Sequence, residues 1–247
     1  MKNWGPDWIQ DTYHDYDVDE RIGATKPLTK RKYKNLVERA QNASESSGQA
    51  SRRMTLEFAE SMNIQRDIIY KERDRLIKQE GRLDEIVEQI VREVFVRVAK
   101  NKDYIEPIAF YRYILDNVSY QVDPQTAHQS FRSKKTKANF LWEIAQRELE
   151  AKYEILGTDE VIAQFQRMAI LKAIDESWVE QVDYLQQLRA ALSGQYASQK
   201  NPLVEFFQEA YQSFERMKAL SKEQMVRNLL LSRVEINKKG EIVLHFP

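Results

Sequence analysis

The sequence predicts a mainly α-helical protein that ends in a small β-hairpin. Only 7 Gly and 6 Pro interrupt 247 residues, and 31% of the residues are charged, which is typical of long helices with solvated faces. Apolar residues recur every three or four positions along several long segments. Near the C-terminus the apolar spacing changes to every second position, which indicates strands.

Residues 1–29 are predicted to be irregular. Trp4, Trp8, Tyr13 and Tyr16 lie there among Asp, Gly and Pro residues. Aromatic side chains of this size bury a large area and need an apolar surface to do so. They would pack either on the rest of this chain or on an upstream domain outside it, and composition alone favours neither.

A long helix is predicted from Lys30 to Glu80. Its centre, Ser44–Gly48, has poor helix propensity, and Gly81 is a plausible stop. Beyond that centre, one face carries Phe58, Met62, Ile69 and Leu76. A helix of roughly 50 residues reaches about 75 Å, which is too long for one small core. We therefore expect a strut between several bodies.

Residues 82–156 form a second helical group in this prediction. Its first stripe is Leu83, Val87, Ile90, Val94 and Val98. The aromatic-rich segment EPIAFYRYILDNVSYQV is expected to be core. DPQTAHQSFRSKKTK is predicted as a turn, a short helix and a basic loop, and the next helix contains ANFLWEIAQRELEAKYEIL. Gly157 and Thr158–Asp159 then mark a break and a new helix start.

Two facing apolar seams predict an antiparallel helical hairpin. The first seam is Phe165, Met168, Leu171, Ile174, Trp178, Val182, Leu185, Leu188 and Leu192. The second seam is Leu203, Phe207, Ala210, Phe214 and Met217. Between them, the first helix ends at Ser193–Gly194, and Asn201 can cap a helix that starts at Pro202.

The last segment is predicted to be the β-hairpin. Apolar residues alternate on both sides of NKKG, namely Val234 and Ile236 before it and Ile242, Leu244 and Phe246 after it. A lone hairpin is marginally stable in water, so we expect it to lie on another element.

Composition and motifs exclude several classes of function. Lys plus Arg and Asp plus Glu both number 38, so no net basic field favours nucleic acid. Cys is absent, and so are the G-x-x-x-x-G-K-S/T and G-x-S-x-G motifs. His14, His128 and His245 have no partner at metal-ligand spacing. We therefore expect no catalytic residue, cofactor or metal in this chain. We also expect no signal peptide or membrane span, and only peripheral membrane contact.

Three stretches resemble SecA, the ATP-driven motor of bacterial protein export. TLEFAESMNIQRDIIYKERDRLI, residues 55–77, is similar to the scaffold helix of that family. MAILKAIDESWVEQVDYLQQL, residues 168–188, resembles the first helix of its two-helix finger. YASQKNPLVEFFQEAYQSFERM, residues 196–217, resembles the segment that follows the fingertip. In order and spacing the resemblance covers most of residues 30–230.

Several features depart from the housekeeping form of the family. Ala59–Ser61 stands where an acidic pair is usual, Gln181 replaces the usual His, the fingertip is longer, and the zinc-binding tail is absent. The chain looks closer to the accessory SecA paralogue of Gram-positive bacteria, which exports serine-rich glycosylated adhesins. The motor domains, with their ATP and Mg, would precede Met1. We therefore expect an excised fragment or a truncated reading frame.

The resemblance implies a division of the chain into five parts. They are 1–29, a remnant of the second motor domain; 30–81, the long scaffold helix; 82–157, the helical wing; 158–232, the two-helix finger and the rest of the scaffold; and 233–247, the β-hairpin.

The resemblance also implies a site at the fingertip, made by Gln195, Tyr196, Gln199 and Lys200. There the Tyr196 ring would bury apolar surface of a moving preprotein while its hydroxyl bonds to any backbone. Spacing alone favours the other interpretation, in which Tyr196 folds back on the helix ends.

The implied partners are SecA motor domains, a SecY-type channel and an unfolded preprotein, at the cytoplasmic face of the cell membrane, and no nucleic acid. Two alternatives stay open. One is a helical interaction scaffold with no motor role. The other is an enzyme with an unrecognised site, which the absent motifs disfavour.

Overall fold

The computed structural model describes residues 31–124, 134–193, 202–237 and 242–247. Its α-helices are α1 (Arg31–Lys78), α2 (Asp84–Lys100), α3 (Pro107–Asn117), α4 (Lys134–Leu156), α5 (Asp159–Ser193) and α6 (Pro202–Leu231). A short 3-10 helix (Lys102–Tyr104) precedes α3, and the strands are β1 (Arg233–Ile236) and β2 (Ile242–His245). The predicted fold class is confirmed. The short helix expected within DPQTAHQSFRSKKTK, residues 123–137, lies outside the described residues. The basic loop expected at the end of that segment was wrong in part, because α4 already begins at Lys134.

The chain divides into two compact units, Met1–Ser61 and Met62–Pro247. In the described part of the first unit the backbone is helical throughout, including the Ser44–Gly48 stretch of poor propensity. Leu36 and Ala40, one turn apart, are buried there. The Ser44–Gly48 stretch is thus helical although its side chains are largely exposed.

The predicted apolar face of α1 is largely confirmed. Phe58, Ile69 and Leu76 are buried, and Met62 is half-buried. The helix ends at Lys78, slightly before the predicted stop. Gly81 has a φ of 72°, a left-handed conformation that glycine adopts without strain.

The core of the second unit lies where α2, α3 and α4 meet α6 and the first half of α5, and it includes Ile69 and Leu76 of α1. Its fully buried members include Val91, Val94, Ile114, Leu141, Ala145 and Ile170. Of the stripe predicted on α2, only Ile90 is half-buried rather than buried. Helices α2, α3 and α4 therefore form an apolar body, as the apolar spacing of the sequence predicts.

Helices α5 and α6 form the predicted antiparallel hairpin. Ser221 Oγ donates to the Ala173 carbonyl over 3.4 Å, far from the tip. Nearer the tip, the Tyr184 hydroxyl lies 3.5 Å from Glu209 Oε2. As the residue number falls along α5, the partner's number rises along α6, so the two helices run in opposite directions.

The seam predictions were wrong at two positions. Met168 is 42% exposed, and Phe207 is 39% exposed while its neighbour Phe206 is 1% exposed. The buried face of α5 instead includes the small residues Ala169 and Ala173. Because α5 has neighbours on several sides, its apolar residues do not follow one stripe, and size alone does not identify its contact face.

The β-hairpin is confirmed and lies on the helical body. Val234 pairs with Leu244 in an antiparallel ladder. The Phe246 ring stacks on Phe165 of α5 with 6.4 Å between centroids. This contact supplies the supporting surface that a two-stranded hairpin needs.

Candidate functional site

The predicted fingertip residues Gln195, Tyr196, Gln199 and Lys200 lie outside the described residues. The structure describes the hairpin that carries them. Leu192, in the last turn of α5, and Phe206, in the second turn of α6, are both buried. The two helices are therefore well packed close to the tip, and the contacts that hold the hairpin against α1 form the candidate site.

A buried amide network joins α1 to both helices of the hairpin. Gln65, Gln181 and Ser213 are 5%, 4% and 6% exposed. Gln181 Nε2 donates to Gln65 Oε1 over 3.0 Å and to Ser213 Oγ over 2.9 Å. Gln65 Nε2 and Ser213 Oγ both donate to the Ala210 carbonyl, each over 3.0 Å. One side chain from each of the three helices thus takes part.

This network defines how the three helices sit against one another. A buried amide loses its hydration and recovers that cost only if its hydrogen bonds are made. Sliding α1 by one turn would place Ile69 where Gln65 lies and leave the Gln181 amide without that acceptor. The network therefore fixes the axial register, as a single polar residue does in a coiled-coil seam.

An ion pair extends the junction along α1. Arg73 Nε lies 2.6 Å from Asp175 Oδ1, and Arg73 Nη2 donates to Asp175 Oδ2 over 3.0 Å. The bond to Asp175 raises the pKa of the Arg73 guanidinium further above its ordinary value. One hydrogen bond and one short charge contact join the two side chains, and the partial exposure of both groups limits their contribution to stability.

A third contact caps the end of α1. Arg167 Nε donates to the Leu76 carbonyl over 3.2 Å, and its Nη2 donates to the Gln79 carbonyl over 2.8 Å. The last carbonyls of a helix have no partner within the helix and carry partial negative charge. Arg167 therefore satisfies the C-terminal end of α1 from the side of α5.

Further contacts join α2, α4 and α5 to the segment that connects α1 with α2. Gln166 is fully buried, and its Oε1 accepts from the Leu83 N–H over 2.7 Å. Its Nε2 donates to Asp84 Oδ1 and to the Tyr153 hydroxyl, each over 2.7 Å. Arg82 bridges Asp84 and Asp159, and these two carboxylates raise its pKa.

The far end of α6 is tied to the α2–α4 body. Lys152, on α4, donates to the Leu230 carbonyl over 2.7 Å and to Glu148 Oε2 over 3.4 Å. Burial lowers the pKa of Lys152. Arg97, on α2, donates to Glu223 Oε1 over 3.0 Å. The hairpin is thus anchored at its base by α2 and α4 and further along its length by α1.

Among the described residues, no group of three or more His, Cys, Asp and Glu side chains could hold a metal ion. Within the same ranges, no helix is both long and apolar enough to cross a bilayer.

The junction residues were not predicted as a site from the sequence. A signal was present, because Gln65 lies four residues before buried Ile69 and Gln181 lies four before buried Leu185. Polar residues at core spacing indicate a buried hydrogen-bond network. The structure brings the three recognised stretches together here: residues 55–77 supply Gln65, residues 168–188 supply Gln181, and residues 196–217 supply Ser213.

Curated relatives match the whole chain. It is 45% identical over 247 residues to the protein translocase subunit SecA 2 of Streptococcus gordonii and 47% identical over 247 residues to that of Streptococcus sanguinis strain SK36. It is 31% identical over 247 residues to the same subunit of Staphylococcus aureus strain Newman. Each match covers all of this chain and 31% of the relative's length.

A family comparison points the same way. Residues 27–233 match the family described as SecA Wing and Scaffold domain. This range contains α1 to α6 and every residue of the junction described above. The chain therefore belongs to the SecA wing and scaffold domain family.

Proposed function

We propose that this chain is the wing, scaffold and two-helix-finger portion of a SecA2-type translocase. In this proposal ATP is hydrolysed in upstream motor domains, and α1 passes their movement to the hairpin. The observation that carries the proposal is the buried Gln65–Gln181–Ser213 network, which connects α1 to both helices of the hairpin. The similarity to SecA 2 subunits supports the translocase assignment.

Exposed apolar side chains on α1 support its contact with motor domains. Ile64, Ile68, Tyr70 and Ile77 are all exposed within the last four turns of the helix. With about 3.6 residues per turn, Ile64 and Ile68 share one side of the helix and Tyr70 and Ile77 share another, so each pair forms a small apolar patch. We assign these patches to contact with the motor domains that would precede Met1.

The network makes α1 and α5 move together in this proposal. Separating them would leave buried amide and hydroxyl groups without partners, at a cost of about 1–3 kcal/mol for each unsatisfied group. The Arg73–Asp175 pair and the Arg167 cap would have to break in the same movement. A displacement of α1 therefore moves the hairpin by the same amount, because the two do not separate.

The fingertip is assigned to contact with the channel and the unfolded preprotein. Tyr196 would hold arbitrary sequence through its ring and hydroxyl, and Gln195, Gln199 and Lys200 would add polar contacts. Buried Leu192 and Phe206 show that the two helices leading to this segment are packed close to it.

The domain boundaries 1–29, 30–81, 82–157, 158–232 and 233–247 belong to this proposal. The cargo would be serine-rich glycosylated proteins, as the resemblance to accessory paralogues implies. The assembled protein would work at the cytoplasmic face of the cell membrane with a SecY-type channel.

Reconstitution tests this function. SecA2 motor domains, with and without the chain, are mixed with channel-containing vesicles, ATP and a preprotein. We expect transport only when the chain is present, and we expect Tyr196→Ala to reduce it. The matched control is Tyr211→Ala, an exposed tyrosine on α6. Binding of the chain to the motor domains without restored transport would instead support the interaction-scaffold alternative.

A further inference from the structure

The middle of α1 lacks the buried contacts that support the helix on either side of it. Leu36 and Ala40 before it are buried, and so are Met54 and Phe58 after it. Between them, no residue of 41–53 is buried. At 1.5 Å per residue, this exposed segment of α1 is about 20 Å long. Tertiary packing therefore holds α1 at both ends of the exposed segment but not within it.

The exposed segment also has weak intrinsic helix propensity. It contains Gly48 and four serines, namely Ser44, Ser46, Ser47 and Ser51. Serine favours a helix less than alanine does, and glycine is the least favourable residue after proline. A helix of about 12 to 15 residues is marginal in water even when it is rich in alanine. The segment therefore depends for its helical structure on the supported helix at both of its ends.

Packing does not require a glycine at position 48. Among the described glycines, Gly48 alone lies inside a helix, whereas Gly81 and Gly157 lie between helices with positive φ. A Cβ built on Gly48 would meet the Arg52 side chain at 3.4 Å, an ordinary contact with the end of a flexible group. Alanine would thus fit and would favour the helix. Gly48 therefore weakens α1 at a position where a side chain has room.

Ion pairs do not compensate for this weakness. Lys34 pairs with Glu38 before the segment, and Arg53 pairs with Glu57 across its end. No ion pair joins two residues within 41–53, all of which belong to the described part of the chain. Opening of the segment therefore breaks few contacts besides its own backbone hydrogen bonds.

From these observations we infer that residues 41–53 form a hinge in α1, a segment that opens locally while the helix on both sides stays folded. Regions with few buried contacts open at a lower free energy than the rest of a protein. When the hinge opens, the helix before it and the helix after it change their relative direction. This inference does not depend on the translocase proposal, because it uses only the burial and composition of α1.

The hinge lies outside the part of α1 that carries the junction. The junction starts at Gln65 and includes Arg73, both well beyond residue 53. Opening of the hinge therefore leaves the Gln181 network and the Arg73–Asp175 pair intact. It frees the first turns of α1 without loosening α1 from the hairpin.

Proteolysis by glutamyl endopeptidase tests local opening on the full 247-residue chain. Two Glu–Ser bonds lie in α1, Glu45–Ser46 within the hinge and Glu60–Ser61 outside it. Both glutamates are exposed, but the second bond lies between buried Phe58 and Gln65. Cleavage needs an opened backbone, so its rate reports the population of the open state.

The hinge predicts a large difference between these two bonds. Each rate is divided by the rate of the same bond in the urea-unfolded chain, which removes the sequence preference of the protease. We expect the normalised cleavage at Glu45–Ser46 to be at least about tenfold faster than that at Glu60–Ser61. Equal normalised rates would contradict the hinge.

Substitutions at position 48 test the cause of the opening. Gly48→Ala should slow cleavage at Glu45–Ser46 about fivefold, because alanine favours the helix. Gly81→Ala, the same change between α1 and α2, should not slow it. Gly48→Pro should accelerate it and leave cleavage at Glu60–Ser61 unchanged. Equal acceleration at both bonds would mean that α1 opens as one unit, and no effect of either Gly48 variant would also overturn the hinge.

Distances between paired spin labels test whether the opening bends the helix. The chain has no Cys, so the labels attach only at introduced cysteines. Glu38→Cys with Glu60→Cys brackets the hinge, and Gln164→Cys with Gln186→Cys is the control in α5. All four positions are exposed, and both pairs have the same separation in sequence, about 33 Å along a helix. We expect a broader distance distribution across the hinge, narrowed by Gly48→Ala. Equal widths for the two pairs would overturn the hinge.

Discussion

The α2–α4 body and the α1–hairpin junction are held together in different ways. In the body, Val91, Ile114 and Leu141 are completely buried in an apolar cluster. At the junction the same cluster continues through Ile69 and Leu76 of α1, and in addition buried Gln65, Gln181 and Ser213 form a hydrogen-bond network. Apolar packing gives stability without strongly fixing register, whereas a satisfied polar network specifies one arrangement. The body is thus suited to remain folded and the junction to transmit position.

The largest loss of stability should follow from truncating a buried side chain in the core of the α2–α4 body. Phe95→Ala removes a side chain that is almost fully buried in the cluster. We expect a loss of about 3–5 kcal/mol in the free energy of unfolding, because the truncation leaves a cavity. Urea denaturation measures it, with Val96→Ala, at an exposed neighbour, as the control. A small loss would mean that this core is loosely packed.

A smaller effect is expected at the junction. Gln181→Leu removes donors to Gln65 and Ser213 and should cost about 1–3 kcal/mol. Adding Gln65→Leu should recover part of that loss, since two apolar partners leave fewer polar groups unsatisfied. Urea denaturation measures all the variants, and exposed Gln187→Leu is the control. Simple additivity of Gln65→Leu and Gln181→Leu would show that the two amides are not coupled.

At alkaline pH the α2–α4 body should lose stability, whereas the hydrogen bonds of the junction should not change. Burial raises the pKa of Tyr113, and also those of Tyr104 and Tyr153, all in the α2–α4 body or beside it. The stability that these groups contribute is complete below their unfolded pKa, about 10, and is lost as pH rises through the folded values. The lowered pKa of Lys152 acts in the opposite direction.

The corresponding experiment compares thermal midpoints near neutral pH and above pH ~10. Wild type should lose stability on this change, and Tyr113→Phe should lose less, because phenylalanine cannot ionise. The amide and hydroxyl groups of the junction do not titrate in this range. An identical loss in both proteins would mean that Tyr113 does not contribute to the alkaline transition.

The smallest stability effect is expected at the tip. Tyr196→Ala should change the free energy of unfolding by less than about 1 kcal/mol, as at surface sites without special features. Leu185→Ala, at a buried position of α5, should cost about 2–5 kcal/mol. Export by a reassembled motor should slow for Tyr196→Ala. A strong loss of stability in that variant would make the tyrosine structural.

Sequence reasoning predicted the body better than the junction. The α2 stripe and the ends of α5 and α6 followed from apolar periodicity and from Pro202. The contact faces of the hairpin did not, because α5 packs on several sides and uses small residues such as Ala169. Gln65 and Gln181 were not recognised as buried, because one polar side chain is satisfied only by another far away in sequence.

The resemblance to SecA implies a His where this chain has Gln181, and the structure shows what the amide does there. At this position the side chain donates to an amide oxygen and to a hydroxyl at once. An amide does this without changing charge, so the junction keeps its bonding at any physiological pH.

The role of the α1–hairpin junction is tested most directly by measuring how tightly ATP hydrolysis is coupled to export. In the reassembled motor, the number of ATP molecules hydrolysed per exported preprotein is compared for wild type, Gln181→Leu and the control Gln187→Leu. If the junction passes movement from α1 to the hairpin, Gln181→Leu should retain ATP hydrolysis and raise this ratio several-fold, while Gln187→Leu matches wild type. An unchanged ratio in a folded Gln181→Leu protein would contradict the central claim.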